Sequence, residues 1–330
     1  MSNISYIIPT YNSLNLLKRC LLSLISQIDI EDKIIIIDDG SQDDTLDYLK
    51  THYSKNKEIL ILSQKNLGSG EARNYGIREC QTDYIWFIDA DDMIEKNSVS
   101  KIKKVLKENK YDLVYFDFIF IDSKEEKHFY KLDINPNDKK TLYLTLHSPW
   151  NKIIKTSIFS DIKFPNEKIR FQDHATIPKV IYKAKSVYYL KEYLYYYDFS
   201  NVNNISKNLK KENDIYTACD YLVNFFLEKK AYEELELLTI KTLIYDKMFK
   251  VIQQEIPFYE KYKELKKINK YLNSNVSGWK KSKWIKFQFV KKYIIGINYY
   301  KIIIIKLFRV SPFLTQTIIY PFLKIRNIIN

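Results

Sequence analysis

The hydrophobic positions in the first 120 residues follow two periods in turn. Short apolar runs typical of strands alternate with segments whose apolar residues recur every three or four positions, as in helices. The predicted strands are Ile4–Ile8, Lys33–Asp38, Ile59–Ser63, Tyr84–Ile88 and Leu113–Phe120, and the predicted helices are Leu14–Ser26, Asp43–Tyr53, Ser69–Glu79 and Asn97–Asn109. This alternation predicts an α/β fold with a doubly wound, mostly parallel sheet and helices on both faces.

Beyond residue 120 the pattern is less regular. The polar stretch Lys124–Lys140 predicts a surface loop, and Trp150–Tyr197 predicts ordered elements that end in an aromatic-rich strand pair. After about residue 206 the periodicity is helical to the C-terminus. We therefore predict two domains, an α/β domain over residues 1–206 and a helical, basic domain over residues 207–330.

The net charge of +13 is informative once it is located. Residues 261–330 hold 16 Lys or Arg and one acid, whereas the rest of the chain is close to neutral. In this segment the lysines interleave with aromatic residues such as Trp279, Trp284 and Phe287, which favours contact with an anionic membrane surface. The alternative is a helical core whose lysines form a solvated face. Because no recognition motif accompanies the charge, we expect no nucleic-acid partner.

Targeting signals and cysteine usage point to the cytoplasm. The N-terminus lacks a basic region followed by an apolar one, and no apolar run approaches the roughly 18 residues of a membrane helix. The cysteines Cys20, Cys80 and Cys219 match no metal-ligand spacing, which favours reduced thiols. We expect a cytoplasmic protein, peripheral on the cytoplasmic face of the inner membrane.

Two polar clusters follow the first two predicted strands. Pro9-Thr10-Tyr11-Asn12 offers a turn and, in Tyr11, a flat ring that could stack on a base. Asp38-Asp39-Gly40-Ser41 ends the isoleucine strand, where adjacent carboxylates are costly unless something pairs with them. The alternatives are an ordinary turn for the first cluster and helix capping by Ser41 for the second.

Two more clusters follow the third and fourth strands. Asn66-Leu67-Gly68 is followed by Arg73, a fixed cation suited to a phosphate or a base carbonyl, or else a surface arginine on a capped helix. Asp89-Ala90-Asp91-Asp92 places three carboxylates in four residues, and a hard divalent cation would relieve their repulsion. The alternative is a solvated acidic turn. Because parallel strands end at one edge of the sheet, we expect all four clusters to meet there.

As an ordered set, these clusters resemble family 2 glycosyltransferases with a GT-A fold, over roughly residues 1–205. The resemblance implies that Tyr11 and Asp39 hold a base, usually uracil, and that Asp91 holds the metal, Mn²⁺ or Mg²⁺. Asp38 and Arg73 would lie against the nucleoside or diphosphate, and Asp89 would face the ribose. The residues expected to bind the nucleotide-sugar are Pro9, Tyr11, Asp38, Asp39, Arg73, Asp89, Ala90 and Asp91.

Two later segments also resemble the family. Trp150-Asn151-Lys152 is similar to an element on the acceptor side. Gln172-Asp173 stands where the family often has Glu-Asp, which implies that Asp173 is the catalytic base. Because Gln172 and Pro178 depart from the pattern, a plain helix-cap role for Asp173 remains an alternative. His174 could reach the metal or be a structural histidine.

The function implied is inverting, metal-dependent transfer of a sugar from a UDP-sugar to a hydroxyl of a glycan or lipid-linked acceptor in bacterial surface polysaccharide synthesis. The C-terminal helices could also join copies into a homo-oligomer. A sugar nucleotidyltransferase is the second candidate, but it would need a glycine-rich phosphate loop that Pro9–Asn12 does not resemble. The intact acidic motifs argue against a non-catalytic glycan- or membrane-binding module.

Overall fold

The computed structural model describes residues 2–200, 213–294 and 299–319 of the 330-residue chain. The chain divides into two compact units, Met1–Leu222 and Val223–Asn330. This division falls within a helix, Asp214–Glu228. The boundary predicted at residue 206 lies outside the described residues.

Strands and helices alternate through the first part of the chain as the pattern predicts. In chain order these elements are β1 (Ile4–Thr10), α1 (Leu14–Ile25), β2 (Lys33–Asp38), α2 (Thr45–Tyr53), β3 (Ile59–Ser63), α3 (Ser69–Glu79), β4 (Tyr84–Phe87), β5 (Met93–Ile94), α4 (Ser98–Glu108) and β6 (Leu113–Ile121). The largest boundary differences are two residues, as at the start of α2 and the end of β1. The two-residue strand β5 is too short to show a period, so the pattern missed it.

The rest of the first unit corrects two expectations. Its elements are β7 (Lys127–Tyr130), α5 (Lys139–Leu144), β8 (Lys152–Lys155), a 3₁₀ turn (Thr156–Ser160), α6 (Gln172–Lys183) and β9 (Val187–Asp198). The predicted loop contains β7, which pairs antiparallel with β6 although all its residues are exposed and give no apolar period. The predicted aromatic strand pair is one strand, β9, whose alternation is broken by register shifts opposite Asp117.

The strands form one mixed sheet of nine strands in the order β3-β2-β1-β4-β8-β6-β9-β5, with β7 beside β6. Strands β1 to β4 pair in parallel, and β8 runs antiparallel between β4 and β6. Because β9 is parallel to β6, six of the nine strands in the described residues share one direction. The carboxyl ends of β1, β2, β4 and β9 therefore lie at one edge of the sheet.

The core of this unit lies between the sheet and its helices. All four isoleucines of β2 are buried, as the run Ile34–Ile37 predicts for a strand covered on both faces. Helix α3 lies very close to the sheet at Gly76, where an added Cβ would come 2.6 Å from Ile7 Cγ2. This close approach fixes the position of α3, and with it Arg73, relative to the sheet edge.

The chain from residue 213 onward is helical in its described residues. The elements are α7 (Asp214–Glu228), α8 (Tyr232–Ile240), a π-helical segment (Lys241–Met248), α9 (Phe249–Gln253), α10 (Phe258–Asn275), two 3₁₀ turns (Trp279–Lys281 and Lys283–Ile285), α11 (Phe287–Tyr293), α12 (Tyr299–Val310) and a helix over 312–319. Within the described parts of the chain, no helix combines the length and apolar character needed to cross a membrane.

Replacing one of the buried β2 isoleucines tests this core. Ile36→Ala removes a side chain with no exposed surface and should lower the free energy of unfolding by about 2–5 kcal/mol. Leu60→Ala on β3 is the matched control, because Leu60 is 39% exposed, and it should cost less than about 1 kcal/mol. Urea unfolding followed by circular dichroism measures both, and equal losses would contradict the burial of Ile36.

Candidate active site

The loops after β1 and β2 are tied together at the sheet edge. Asn12, with a left-handed φ of 46°, accepts a hydrogen bond on Oδ1 from Gln42 N (2.7 Å), and its own N–H donates to Ser41 Oγ (3.0 Å). Pro9 is buried in β1, whereas Tyr11 at the end of that strand is 43% exposed. The Tyr11 ring is therefore available to a flat ligand, and Pro9 can act only through the strand.

Asp39 organises the loop between β3 and α3. Its Oδ1 accepts hydrogen bonds from Gln64 Nε2 (2.8 Å) and Leu67 N (2.7 Å), and its Oδ2 accepts from Gly68 N (2.8 Å). A carboxylate offers about four acceptor positions, so one position on Oδ2 is left for a ligand. Asp39 thus holds the Asn66–Gly68 cluster in place. It also keeps one acceptor position with which it could bind a base.

Asp38 is completely buried beside it. Its Oδ2 accepts from Ser41 N at 3.1 Å, while its Oδ1 has no hydrogen-bond partner among the described residues. A buried carboxylate oxygen without a partner is costly, and such groups in native proteins usually mark a ligand or water position. This oxygen is the part of Asp38 that a nucleoside or a diphosphate could satisfy.

Arg73 joins two parts of the site that are far apart in sequence. Its guanidinium donates from Nη2 to Asp89 Oδ1 at 2.7 Å and from Nη1 to Asp173 Oδ1 at 3.1 Å. The Arg73 side chain is buried, and its Nε has no partner in the described structure. The interpretation of Arg73 as a surface arginine is therefore wrong. The same cation that was expected to meet the nucleotide also holds the candidate base.

Asp173 lies in the first turn of α6, where the N-cap is Phe171 and carries no side-chain cap. The Asp173 carboxylate is about one-third exposed, so it can reach a substrate. Burial raises the pKa of Asp173 to about 6. The positive charges of Arg73 and Lys152 lower this pKa, and the negative charge of Asp89 raises it. Pro178 lies inside α6 without ending it. A carboxylate with this pKa is suited to accept a proton near neutral pH.

The acidic cluster divides into an inner and an outer part. Asp92 is fully buried, and it accepts hydrogen bonds from Tyr195 Oη (2.7 Å) and Asp198 N (2.8 Å). The same Tyr195 oxygen accepts from Asp89 N at 3.1 Å. Burial raises the pKa of Asp92 well above its ordinary value, and the negative charges of Asp91 and Asp89 raise it further. Asp92 therefore connects the cluster to β9, and Asp89 and Asp91 are the partly exposed carboxylates.

Asp89 and Asp91 fit a hard divalent cation by the chemistry of their donors. Mg²⁺ and Mn²⁺ prefer oxygen ligands and usually take one or two protein carboxylates together with substrate phosphates. The two carboxylates stand two residues apart at the carboxyl end of β4, and buried Ala90 lies between them. Asp89 is bound by Arg73, and Asp91 is the carboxylate that the resemblance implies as the metal ligand.

Arg19 of α1 adds a cation beside Asp91 that the sequence did not predict. Its Nη2 donates to the Asp91 carbonyl oxygen (2.9 Å) and forms an ion pair with Asp198 Oδ2 (2.6 Å). Position 198 at the end of β9 is an aspartate, and Arg19 is the cation paired with it. Arg19 thus supplies a positive charge to that region from another element.

The segment Trp150–Lys152 is buried rather than open to an acceptor. Trp150 stacks on Tyr195 and Tyr197 with ring centroids 4.8 and 5.2 Å apart. Lys152 Nζ donates to Leu146 O, Ser148 O and the amide oxygen of Asn151. These side chains do not reach solvent, so any acceptor contact would come from the loop over residues 146–148 that they hold.

Two histidine groups lie outside this arrangement. His174, next to Asp173, is buried and its Nδ1 is 2.8 Å from His147 Nδ1. Within the described residues, the one group of three side chains spaced to hold a metal is Asp122, Glu126 and His128, in the turn between β6 and β7. The Asp122 carboxylate accepts hydrogen bonds from the backbone N–H groups of Lys124 and Glu126 and is hydrogen-bonded to His128 Nε2. These bonds within the turn explain why the three side chains lie close together.

With this geometry in place, the comparisons identify the family. Residues 5–184 match the family described as Glycosyl transferase family 2. The chain belongs to this family. The Streptococcus pneumoniae serotype 4 protein named Glycosyltransferase GlyA is 31% identical over 210 residues, which cover 59% of this chain and 30% of GlyA. A Bacillus spizizenii poly(ribitol-phosphate) beta-glucosyltransferase is 30% identical over 204 residues, 59% of this chain and 32% of that protein.

Solved structures confirm the fold. S. aureus TarS 1–349 superposes with a TM-score of 0.72 at 18% identity, covering 97% of this chain and 91% of TarS 1–349. The same protein in complex with UDP-GlcNAc gives a TM-score of 0.73 at 16% identity, covering 97% and 92%. The prediction of a GT-A α/β fold with a C-terminal helical extension is thereby confirmed. The chain spans about a third of the length of GlyA and of the Bacillus relative.

Tyr195→Phe tests the connection between the acidic cluster and β9. Removing the hydroxyl leaves Asp92 Oδ2 and Asp89 N–H without this partner, and we expect a loss of about 1–3 kcal/mol in unfolding free energy. Tyr196→Phe is the matched control, since the Tyr196 hydroxyl binds Glu95 in a less buried position, and should cost under about 1 kcal/mol. A Tyr195 variant as stable as the control would contradict the structural role of Asp92.

Proposed function

We propose that the protein transfers a sugar from a nucleotide-sugar donor, a UDP-sugar, to a hydroxyl group of a glycan or lipid-linked acceptor, with inversion at the anomeric carbon. The observation that carries this proposal is the Arg73 bridge between Asp89 and Asp173. The bridge holds the Asp173 carboxylate close to Asp89, which supports Asp173 as a base beside the carboxylates at which the donor is expected. The nucleotide and the acceptor hydroxyl would thus meet at a single edge of the sheet.

The donor site is supported by four groups at that edge. Tyr11 presents an exposed ring for stacking, and Asp39 retains an acceptor position for a base imide N–H. Asp38 Oδ1 and Arg73 Nε are buried groups whose hydrogen-bonding capacity a nucleoside diphosphate could use. The TarS structure named with UDP-GlcNAc has the same fold, which supports a uridine nucleotide without selecting the sugar.

Asp91, with Asp89 beside it, would hold Mn²⁺ or Mg²⁺ together with the diphosphate. Such a cation offsets the negative charge of the departing nucleoside diphosphate. Arg73 would hold Asp89 and Asp173 in fixed positions, and Arg19 would add positive charge behind Asp91. Asp173 would take the proton of the acceptor hydroxyl as its oxygen attacks the anomeric carbon from the face opposite the nucleotide.

The acceptor class is proposed from the relatives and the charge of the chain. The Bacillus relative is named for a poly(ribitol-phosphate) acceptor, which favours a bacterial surface polymer here as well. The basic C-terminal segment favours peripheral contact with the cytoplasmic face of the membrane, where lipid-linked acceptors would be presented. A homo-oligomer formed through other faces of the C-terminal helices is compatible with this arrangement.

Donor and metal use can be tested by nucleotide release from a panel of UDP-sugars with Mn²⁺ or Mg²⁺. We expect release with at least one donor, loss of release on addition of EDTA, and recovery with excess metal. Asp91→Asn should lower kcat by on the order of 10²–10³-fold, because it removes the main protein ligand of the cation. No binding or turnover of any nucleotide-sugar would refute the proposed function, and an EDTA-resistant reaction would refute the metal site.

The role of Asp173 predicts a pH dependence. The base must be ionised to accept a proton, so kcat/KM should be full well above pH 6 and fall about tenfold per unit below it. Asp173→Asn should reduce kcat by on the order of 10²–10⁴-fold. Asp47→Asn is the matched control, because Asp47 is also a first-turn aspartate, on α2, but is exposed. Full activity of Asp173→Asn would reject the base and leave the enzyme class standing.

A further inference from the structure

The last two described helices carry large apolar side chains both on their buried side and on their exposed side. Their buried face consists of Ile302, Ile304, Ile305, Phe308 and Ile319. Their exposed face also carries large apolar side chains, here called the apolar stripe: Ile303, Val310, Phe313, Leu314 and Ile318. A helix that faces water normally has a polar outer side, so an apolar outer side indicates a second apolar environment.

The apolar stripe spans two helices that meet at Ser311. Ser311 N donates to Leu307 O, which closes the last turn of α12, and Ser311 then caps the next helix. Its Oγ accepts from Phe313 N (3.1 Å) and Leu314 N (3.4 Å), and its carbonyl oxygen accepts from Thr315 N. Ile303 and Val310 are seven residues apart in α12, and Leu314 and Ile318 are four apart in the next helix, so each pair lies on one side of its own helix.

Helix α10 extends this surface within the same unit. The Phe313 ring lies edge-on to Tyr262 at 5.8 Å and to Phe258 at 6.4 Å. One turn before Tyr262, Tyr259 is 69% exposed, and one turn after it Lys266 is exposed. The apolar stripe is thus continued by a tyrosine and bordered by lysines.

The charge around the apolar stripe distinguishes between its two candidate occupants. Lys306 is exposed between Ile303 and Val310, and Lys263 and Lys266 are exposed on α10, in a segment with 16 bases and one acid. A second copy of the chain would bring an equally basic surface and be repelled. An anionic lipid surface would accept the apolar side chains into its headgroup boundary and attract the lysines, whose stems can lie along the interface.

We propose that the apolar stripe, with Tyr259, Lys263, Lys266 and Lys306, is the surface by which this protein lies on an anionic phospholipid bilayer. The proposal rests on the membrane contact included in the proposed function and gives that contact a location. Of the aromatic residues that suggested the contact from sequence, Phe287 is 52% exposed. Trp279 and Trp284 are buried, Trp279 against Phe308, and cannot enter a lipid surface.

Vesicle flotation of the full chain tests the location. Wild type should bind vesicles containing phosphatidylglycerol, bind phosphatidylcholine vesicles much more weakly, and release as salt is raised. The variant Val310→Ser/Phe313→Ser/Ile318→Ser should lower partitioning by about tenfold or more. The control Leu22→Ser/Ile30→Ser changes two large apolar residues that are at least as exposed but lie in the first unit, and should bind as wild type does.

Charge is tested separately with reversals of equal size. Lys263→Glu/Lys266→Glu/Lys306→Glu should lose anionic binding by about tenfold or more, whereas Lys104→Glu/Lys107→Glu/Lys110→Glu, all exposed in or after α4, should lose much less. Thermal unfolding and nucleotide release from a UDP-sugar are measured on every variant, so that failure to fold and failure of the catalytic proposal are each seen independently of vesicle binding.

Three outcomes would overturn the inference. One is no binding of wild type to anionic vesicles. Another is full binding by the folded serine variant, which would move the membrane contact elsewhere on the chain. The third is a dimer, seen by light scattering, that the serine variant abolishes while vesicle binding is unchanged, which would assign the apolar stripe to a second copy.

Discussion

The structure of the site depends on one buried cation. Arg73 is nearly inaccessible to solvent, and a guanidinium in that position is tolerable only while carboxylates compensate its charge. Asp89 and Asp173 do so, and this requires α3, the end of β4 and the start of α6 to meet. Close packing serves the same end: Gly70 leaves room for Pro165 O, 2.8 Å from where its Cβ would stand, and for the Gln172 amide.

Burial also gives the three carboxylates of the acidic cluster different roles. Three carboxylates in four residues look equivalent in sequence, but Asp92 points inward to the Tyr195 hydroxyl and the backbone of β9. The energy cost of burying it is offset by those hydrogen bonds, and it holds the turn from which Asp89 and Asp91 are presented. The same strand, β9, stacks on Trp150, so the segment predicted to face the acceptor contributes through packing.

The two units put their charge to different uses. The first unit is close to neutral overall, and at one sheet edge ion pairs restrain Arg73, Asp89 and Asp173. The second buries Trp279 and Trp284 and exposes Lys263, Lys266 and Lys306 beside apolar side chains that also remain exposed. Attraction to an anionic surface is long-ranged and salt-dependent, whereas the Arg73 ion pairs are short-ranged and screened little by salt. The proposed membrane contact should therefore weaken as salt is raised, while the Arg73 ion pairs should change little.

The sequence by itself determined the alternating strands and helices through β6, the edge at which four polar clusters meet, and the family. These follow from local periodicity and from motifs that lie within a few residues of one another. Only the tertiary structure decided that Arg73 bridges residues 16 and 100 positions away, that Arg19 reaches Asp91, and that Trp150 to Lys152 are buried. It also decided that the side chains of the apolar stripe are exposed, whereas Trp279 and Trp284 are buried. The physical reason is that periodicity reports how an element alternates between buried and exposed positions. It carries no information about which distant element lies against each face, and ion pairs, orphaned polar atoms and exposed stripes depend on that placement.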